Sequence, residues 1–272
     1  MTDPILITGC SSGMGREAAR ALLERGHTVY ATARRPETLA ELKAKGAHVL
    51  ALDVTDLESM RAAVAAVESA HGAVGTLINN AGYSQPGPIE TVPVDKARAQ
   101  YETNVFGLTQ MCQLVLPAMR AKGSGRIINV GSMGGRMTLP VNGWYHSTKY
   151  AVESLSDALR MEVRPFGIDV VIIEPGAIKT EFDTTAGMGV GIDMDSPYAE
   201  LEVANGQVFS GAYGKAAASA EYGAKTYVKA VEARHPRHRY LNTVSGRVVV
   251  YARHFLGSQF WDAAVGRAYR WR

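Results

Sequence analysis

This sequence has little of what an exported, metal-dependent or membrane-spanning protein needs. It holds two cysteines, Cys10 and Cys112, in 272 residues, which cannot build a disulfide framework and suit a reducing compartment. No Cys/His cluster has metal-ligand spacing, so no metal is expected. There is no apolar run of about 18 residues, the length at which a membrane helix is read. Its start, Met1-Thr2-Asp3-Pro4, lacks the basic and apolar regions of a signal peptide, and a cytoplasmic protein is expected. A net charge of only +3 gives no ground for a nucleic-acid partner. Repeats and disordered tails are also missing, and 46% hydrophobic residues over this length can bury the core of one domain.

Net charge is small except at one end. Residues 234 to 272 hold eight arginines, no lysine and a single acid, Asp262, a local +7 that leaves −4 on the remainder. These arginines are expected to be solvated and membrane contact is not expected; a lipid-surface role is the alternative. Leu256, Phe260, Ala264 and Ala268 recur there at helical spacing beside Trp261 and Trp271, a stripe expected to pack on the body or on a second subunit.

What is present is a regular alternation. Short apolar runs at 5–7, 28–32, 49–52, 76–78, 126–130 and 168–173 read as strands, with helical patterns between them. A long helix is predicted over 94–121, another over 144–165 and a further one over 216–233, with a last strand at 239–241. The expected fold class is α/β: a doubly wound parallel sheet of Rossmann type, a single domain over 1–272, with 179–215 as a substrate lid and 245–272 as a C-terminal helical extension. Ligands of such sheets bind outside the carboxyl ends of the strands, and the polar motifs of this chain fall there.

The first strand runs into Thr8-Gly9-Cys10-Ser11-Ser12-Gly13-Met14-Gly15 and then a helix. Glycines let the backbone approach a phosphate, and the helix start offers free N–H groups. After the second strand come Ala33, Arg34 and Arg35. An acid there would bind a ribose 2′-hydroxyl, whereas arginines favour a 2′-phosphate, so NADP(H) is expected rather than NAD(H). Asp53 ends the third strand, where it could reach the adenine amino group. Met133 to Pro140 is too rich in glycine for a helix and too apolar for an idle loop, and reads as one wall of a substrate pocket. With Met133, Met137, Leu139 and Trp144 that wall is apolar.

The chemistry centres on Ser132 and on Tyr145 with Lys149. In a helix, residues four apart project from one face. A phenol titrates near ~10, too high for a neutral-pH proton shuttle, and an ammonium ~4 Å away lowers that by roughly three pKa units at an effective dielectric of ~20. Taken alone, the spacing could also be an accident of a helix.

Its company argues otherwise. Thr8-Gly9-x-x-x-Gly13-x-Gly15, Asn79-Asn80-Ala81-Gly82, the four residues Asn104, Ser132, Tyr145 and Lys149, and Pro175-Gly176 with Thr180 resemble the motifs of the short-chain dehydrogenase/reductase family over nearly the whole chain. Within that family the chain looks like the branch of hydroxysteroid and retinol dehydrogenases. The resemblance implies that Tyr145 protonates the developing alkoxide, Ser132 orients the carbonyl, Lys149 binds the nicotinamide ribose and Asn104 holds a water. It implies cofactor contacts from Gly9, Ser11, Ser12, Gly13 and Met14, from Arg34, Arg35, Asp53 and Val54, and from Asn80, Ala81 and Gly82. Tyr145, Lys149, Pro175, Gly176, Ile178 and Thr180 complete that set. One departure is Ser12, where many NADP-dependent members carry a basic residue.

The expected function is thus an NADP(H)-dependent oxidoreductase interconverting a secondary alcohol and a ketone, on a small lipophilic substrate, as a homo-oligomer (dimer or tetramer). The alternative is a catalytically silent, dinucleotide-sensing binding protein of the same fold.

Overall fold

The computed structural model describes residues 3–179 and 192–270. Its centre is a sheet of seven strands: β1 (Ile5–Ile7), β2 (Val29–Ala33), β3 (His48–Ala51), β4 (Thr76–Asn79), β5 (Gly125–Val130), β6 (Ile168–Glu174) and a last one, Arg239–Leu241. In space the order is β3-β2-β1-β4-β5-β6 and then the last strand, all parallel. The chain winds outward from β1 through β3, then returns and winds the other way from β4, so a crevice forms between β1 and β4. Strands such as Ile5–Ile7 are buried on both faces and therefore read as continuous apolar runs.

Helices cover both faces. Along the chain they are α1 (Gly13–Glu24), α2 (Ala40–Ala44), α3 (Leu57–His71), α4 (Val94–Tyr101), α5 (Leu108–Lys122), α6 (Gly143–Val163), α7 (Ala199–Val208), α8 (Ala220–Glu232) and α9 (Val244–Ala268). On one face Ala18 and Leu22 of α1 meet Ala224 and Tyr227 of α8 over the sheet. On the other, Met60 and Val64 of α3, Met111 and Val115 of α5 and Val152 of α6 form a second core. Asp56 caps α3 by accepting the N–H groups of Glu58 and Ser59, at 3.0 and 3.4 Å. Gly26 leaves α1 with φ +79°, which a side chain would resist.

The structure departs from the sequence reading in four places. The helix predicted over 94–121 is interrupted by a π-helical segment, Glu102–Gly107. There Gly107 sits so close to the Val54 carbonyl that a Cβ would lie 2.3 Å from it. The helix predicted over 216–233 begins only at Ala220, capped by Ser219. Its first residues form strand β8 (Ala218–Ser219) against β7 (Ile178–Lys179), and Arg239–Leu241 is thus β9. Met133–Gly135 makes one 3-10 turn, because Ser132 Oγ accepts the Gly134 N–H at 3.0 Å and starts it. Fourth, the stripe of Leu256, Phe260, Ala264 and Ala268 does not pack on the body: these residues are exposed. Gly257, with φ +77° and ψ 178°, breaks the helical phase, and Val249, Val250 and Trp261 turn inward instead.

Of the predicted lid, residues 180–191 lie outside the described residues, as do Thr180 and, at the other end, Trp271. The rest of that segment contains α7, which the sequence did not suggest.

Candidate active site

A cavity of about 940 Å³ opens at the carboxyl edge of the sheet. At its β1 side, Gly9 takes φ +73°, and a Cβ there would fall 2.8 Å from Ala81 Cα. At Gly15 a Cβ would fall 2.4 Å from Asn80 Nδ2. Both positions are thus reserved for glycine by close backbone approach. Asn80 fixes the turn to β4: its Nδ2 donates to the carbonyls of Thr8 and Gly9, both at 3.0 Å, and its Oδ1 accepts from Tyr227 at 2.9 Å. Thr8 Oγ1 accepts the N–H groups of Asn80 and Ala81. The start of α1 has no side-chain cap and no acid in its first turn, so its N–H groups and positive dipole end remain available to an anion. A cradle of this kind fits the diphosphate of a dinucleotide.

Further along, the cavity is lined by Ser11, Ser12, Gly13, Met14, Ala33, Arg34, Asp53, Val54, Ala81 and Gly82, and on the β6 side by Pro175, Gly176 and Ile178. Asp53 Oδ1 accepts both the N–H and the hydroxyl of Thr55, at 2.9 and 2.7 Å, and so shapes the turn while lining the site. Arg35 is exposed and not part of the lining; only Arg34 of the pair is placed there. β2 ends at Ala33, so both arginines lie in the bend that follows it, and both are exposed.

Ser132, Tyr145 and Lys149 line the same cavity. Ser132 leaves β5, with its oxygen accepting from Gly134 N–H, so its own proton remains to be donated. Lys149 is buried, its Nζ donating to the Val130 carbonyl at 2.9 Å and lying 5.7 Å from the centre of the Tyr145 ring. Burial pushes its ammonium down to about 8, opposed by the charge of Glu153. Next to Lys149 along α6, Glu153 pairs with Arg239 at 3.1 Å, and buried Glu174 lies 3.4 Å from Arg239 and 3.6 Å from Arg136. Burial first, and for Glu153 the nearby Glu174 charge second, raise these carboxyls above the usual range.

Asn104 stands apart from the other three. It is buried and does not line the cavity; Oδ1 accepts the Tyr83 N–H at 3.0 Å while Nδ2 donates to the Tyr83 carbonyl at 2.8 Å and to Thr148 Oγ1 at 3.2 Å. Its side chain clamps the loop after β4 onto α6, and the π segment places it there.

Of the apolar wall, Met133, Met137 and Leu139 line the cavity and Trp144 does not. Residues that the sequence reading missed include His146, Asn142, Asn205 and Phe209. His146 is buried and its Nδ1 accepts the Leu139 N–H at 3.1 Å, with burial pushing its pKa down to about 4. Asn142 donates to Asn205 Oδ1 at 3.2 Å, which also accepts from Tyr269 at 2.9 Å. His146 and Asn142, in the same helix as the tyrosine and at its start, were the signals available; Asn205 and Phe209 belong to a distant segment.

The sequence model of the family described as short chain dehydrogenase matches residues 3–189. The chain belongs to that family. Its members are oxidoreductases that bind a nicotinamide dinucleotide. A curated 3-ketodihydrosphingosine reductase of Bacteroides thetaiotaomicron is 41% identical over 197 residues, covering 72% of this chain and 71% of that one. An NADPH-dependent 3-dehydrocapnine reductase of Ornithobacterium rhinotracheale is 39% identical over 205 residues, 72% of each. Among solved structures, a short-chain dehydrogenase from Streptomyces avermitilis superimposes with a TM-score of 0.81 at 32% identity, over 100% of this chain and 97% of that one. Among the described residues, no helix is long and apolar enough to cross a membrane.

Proposed function

We propose that this member of the family is an NADP(H)-dependent oxidoreductase interconverting a secondary alcohol and a ketone on a lipophilic substrate. The observation that carries the reading is that Ser132, Tyr145 and Lys149 line one cavity together with the glycine turn and Arg34. Arg34, with Ala33 where an acid would stand, supports a 2′-phosphate. When bound, the dinucleotide supplies or accepts the hydride. The chain handles the oxygen. Ser132 donates its hydroxyl proton to the carbonyl oxygen and orients it. Tyr145 gives its phenolic proton to the same oxygen in reduction and takes it back in oxidation. The Lys149 ammonium, charged below about 8, stabilises the phenolate, and Asn104 acts as a positioning residue through Tyr83 and Thr148.

Met133, Met137 and Leu139 on the cavity wall support an apolar substrate, and two relatives named as reductases of 3-keto and 3-dehydro compounds support a ketone. Two buried free thiols suit the reducing cytoplasm. Exposed Phe106, Tyr150, Leu155 and Met161 around α5 and α6 support a homo-oligomer.

The test is Tyr145→Phe. Fluorescence titration should show NADPH binding retained, while turnover across a panel of ketones and alcohols with both cofactors falls by about a thousandfold or more. Retained turnover would remove the tyrosine from the reaction. Tight NADPH binding by the unaltered protein, with no turnover on any substrate, would favour a silent dinucleotide-binding protein.

A further inference from the structure

α9 carries an apolar stripe that none of the described residues covers. Val244, Val248, Tyr251 and Phe255 are 72%, 65%, 51% and 76% exposed. Their spacing of four, three and four residues puts them on one side of a helix. Arg247 and His254 are exposed with them, and after the break at Gly257 the exposed Phe260 follows. The stripe is not a loosely attached end. On its other side α9 is fixed to the cavity wall: Val250 packs with Met133 and Met137, Trp261 Nε1 donates to the Thr138 carbonyl at 2.9 Å, and Tyr269 donates to Asn205 at 2.9 Å. One helix therefore separates the substrate end of the cavity from a greasy outer surface.

We propose that the outer face of α9 docks on the surface of an anionic lipid bilayer. Charge decides the occupant. Residues 234 to 272 carry eight arginines and one acid, and among the described residues of that stretch only Arg239 enters an ion pair. Apolar side chains flanked by arginines are the two attractions that hold an amphipathic helix in a lipid headgroup region. A second copy of this chain suits the face poorly. A two-fold contact brings the same surface to itself, so Arg247 would face a cationic surface with no acid between Val244 and Phe255 to offset it. The helix is broken at Gly257 and too polar to cross the bilayer, so it lies on it. That a lipophilic substrate then reaches Met133 and Met137 from the lipid side rests on the proposed reaction; the docking itself does not.

Flotation of the full-length protein with vesicles tests this, comparing phosphatidylcholine alone with phosphatidylcholine plus phosphatidylglycerol. The unaltered protein should float with the anionic vesicles and be released by salt. Val248→Ser with Phe255→Ser, and separately Arg247→Glu, should each reduce the bound fraction by about tenfold. Both variants alter exposed side chains, so NADPH binding and thermal melting should stay as in the unaltered protein. Absence of flotation with anionic vesicles, or flotation insensitive to both variants, would overturn the proposal. So would sedimentation showing that these substitutions split a dimer, since a second copy would then own the face. Failure of the ketone assay alone would count against the reaction and leave the flotation result standing.

Discussion

Replacing Lys149 with methionine probes the electrostatic core of the proposed reaction. Its Nζ lies 5.7 Å from the centre of the Tyr145 ring, over which a phenolate spreads part of its charge. At an effective dielectric of ~20 a unit charge at that distance stabilises the phenolate by about 3 kcal/mol, or roughly two pKa units. Alcohol oxidation needs the phenolate, so kcat/KM with NADP should rise with pH along a limb that belongs to the coupled phenol and amine. Because the amine itself is pushed down to about 8, its help fades above that pH and the limb should be shallow. In Lys149→Met the limb should move up by about two pH units and steepen to a single ionisation. Loss of the hydrogen bond to the Val130 carbonyl should cost a further ~1–3 kcal/mol of folding stability, visible in the melting temperature. A limb that stays within about half a pH unit of its original position would refute the electrostatic argument, whatever the loss in rate.

Two other outcomes follow from neighbouring groups. Arg34→Ala should raise the KM for NADPH by about tenfold or more and leave that for NADH nearly unchanged, while Arg35→Ala, which lies outside the cavity lining, should do neither; equal effects on both cofactors would end the case for a 2′-phosphate site. His146 is held neutral by burial, with its pKa pushed down to about 4. The unfolded chain takes up that proton from ~6.5 downward and the folded one does not, so stability should fall by up to roughly 3 kcal/mol as pH drops from ~6.5 toward ~4. Melting curves of His146→Gln should lack that part of the acid dependence, and an identical acid slope in both proteins would show that the imidazole is not responsible.

Much of the site was legible because its parts are local. The glycine turn, the Asp56 cap and the Tyr145–Lys149 spacing each depend on residues within one turn or one loop, where backbone sterics and helical period leave few choices. Other features were misread or missed because they depend on what a segment meets. Asn104 is read from the family resemblance as holding a water; that its side chain bonds Tyr83 and Thr148, both distant in sequence, was not legible. Arg34 and Arg35 look alike in sequence, and only the tertiary structure shows that Arg34 alone of the two lines the cavity.

The sequence by itself determined that strands and helices alternate into a parallel sheet, that the glycine turn, Ser132, Tyr145 and Lys149 fall at its carboxyl edge, and that the C-terminal end is cationic. Periodicity of apolar residues and glycine placement suffice for that, since both act through the nearest neighbours along the chain. Only the tertiary structure decided which face of α9 turns inward. A helical period records that a stripe exists but not what lies opposite it: Val250 meets the cavity wall while Val248 and Phe255 face outward, and beyond the positive φ of Gly257, which shifts the phase, Trp261 turns inward while Phe260 stays exposed.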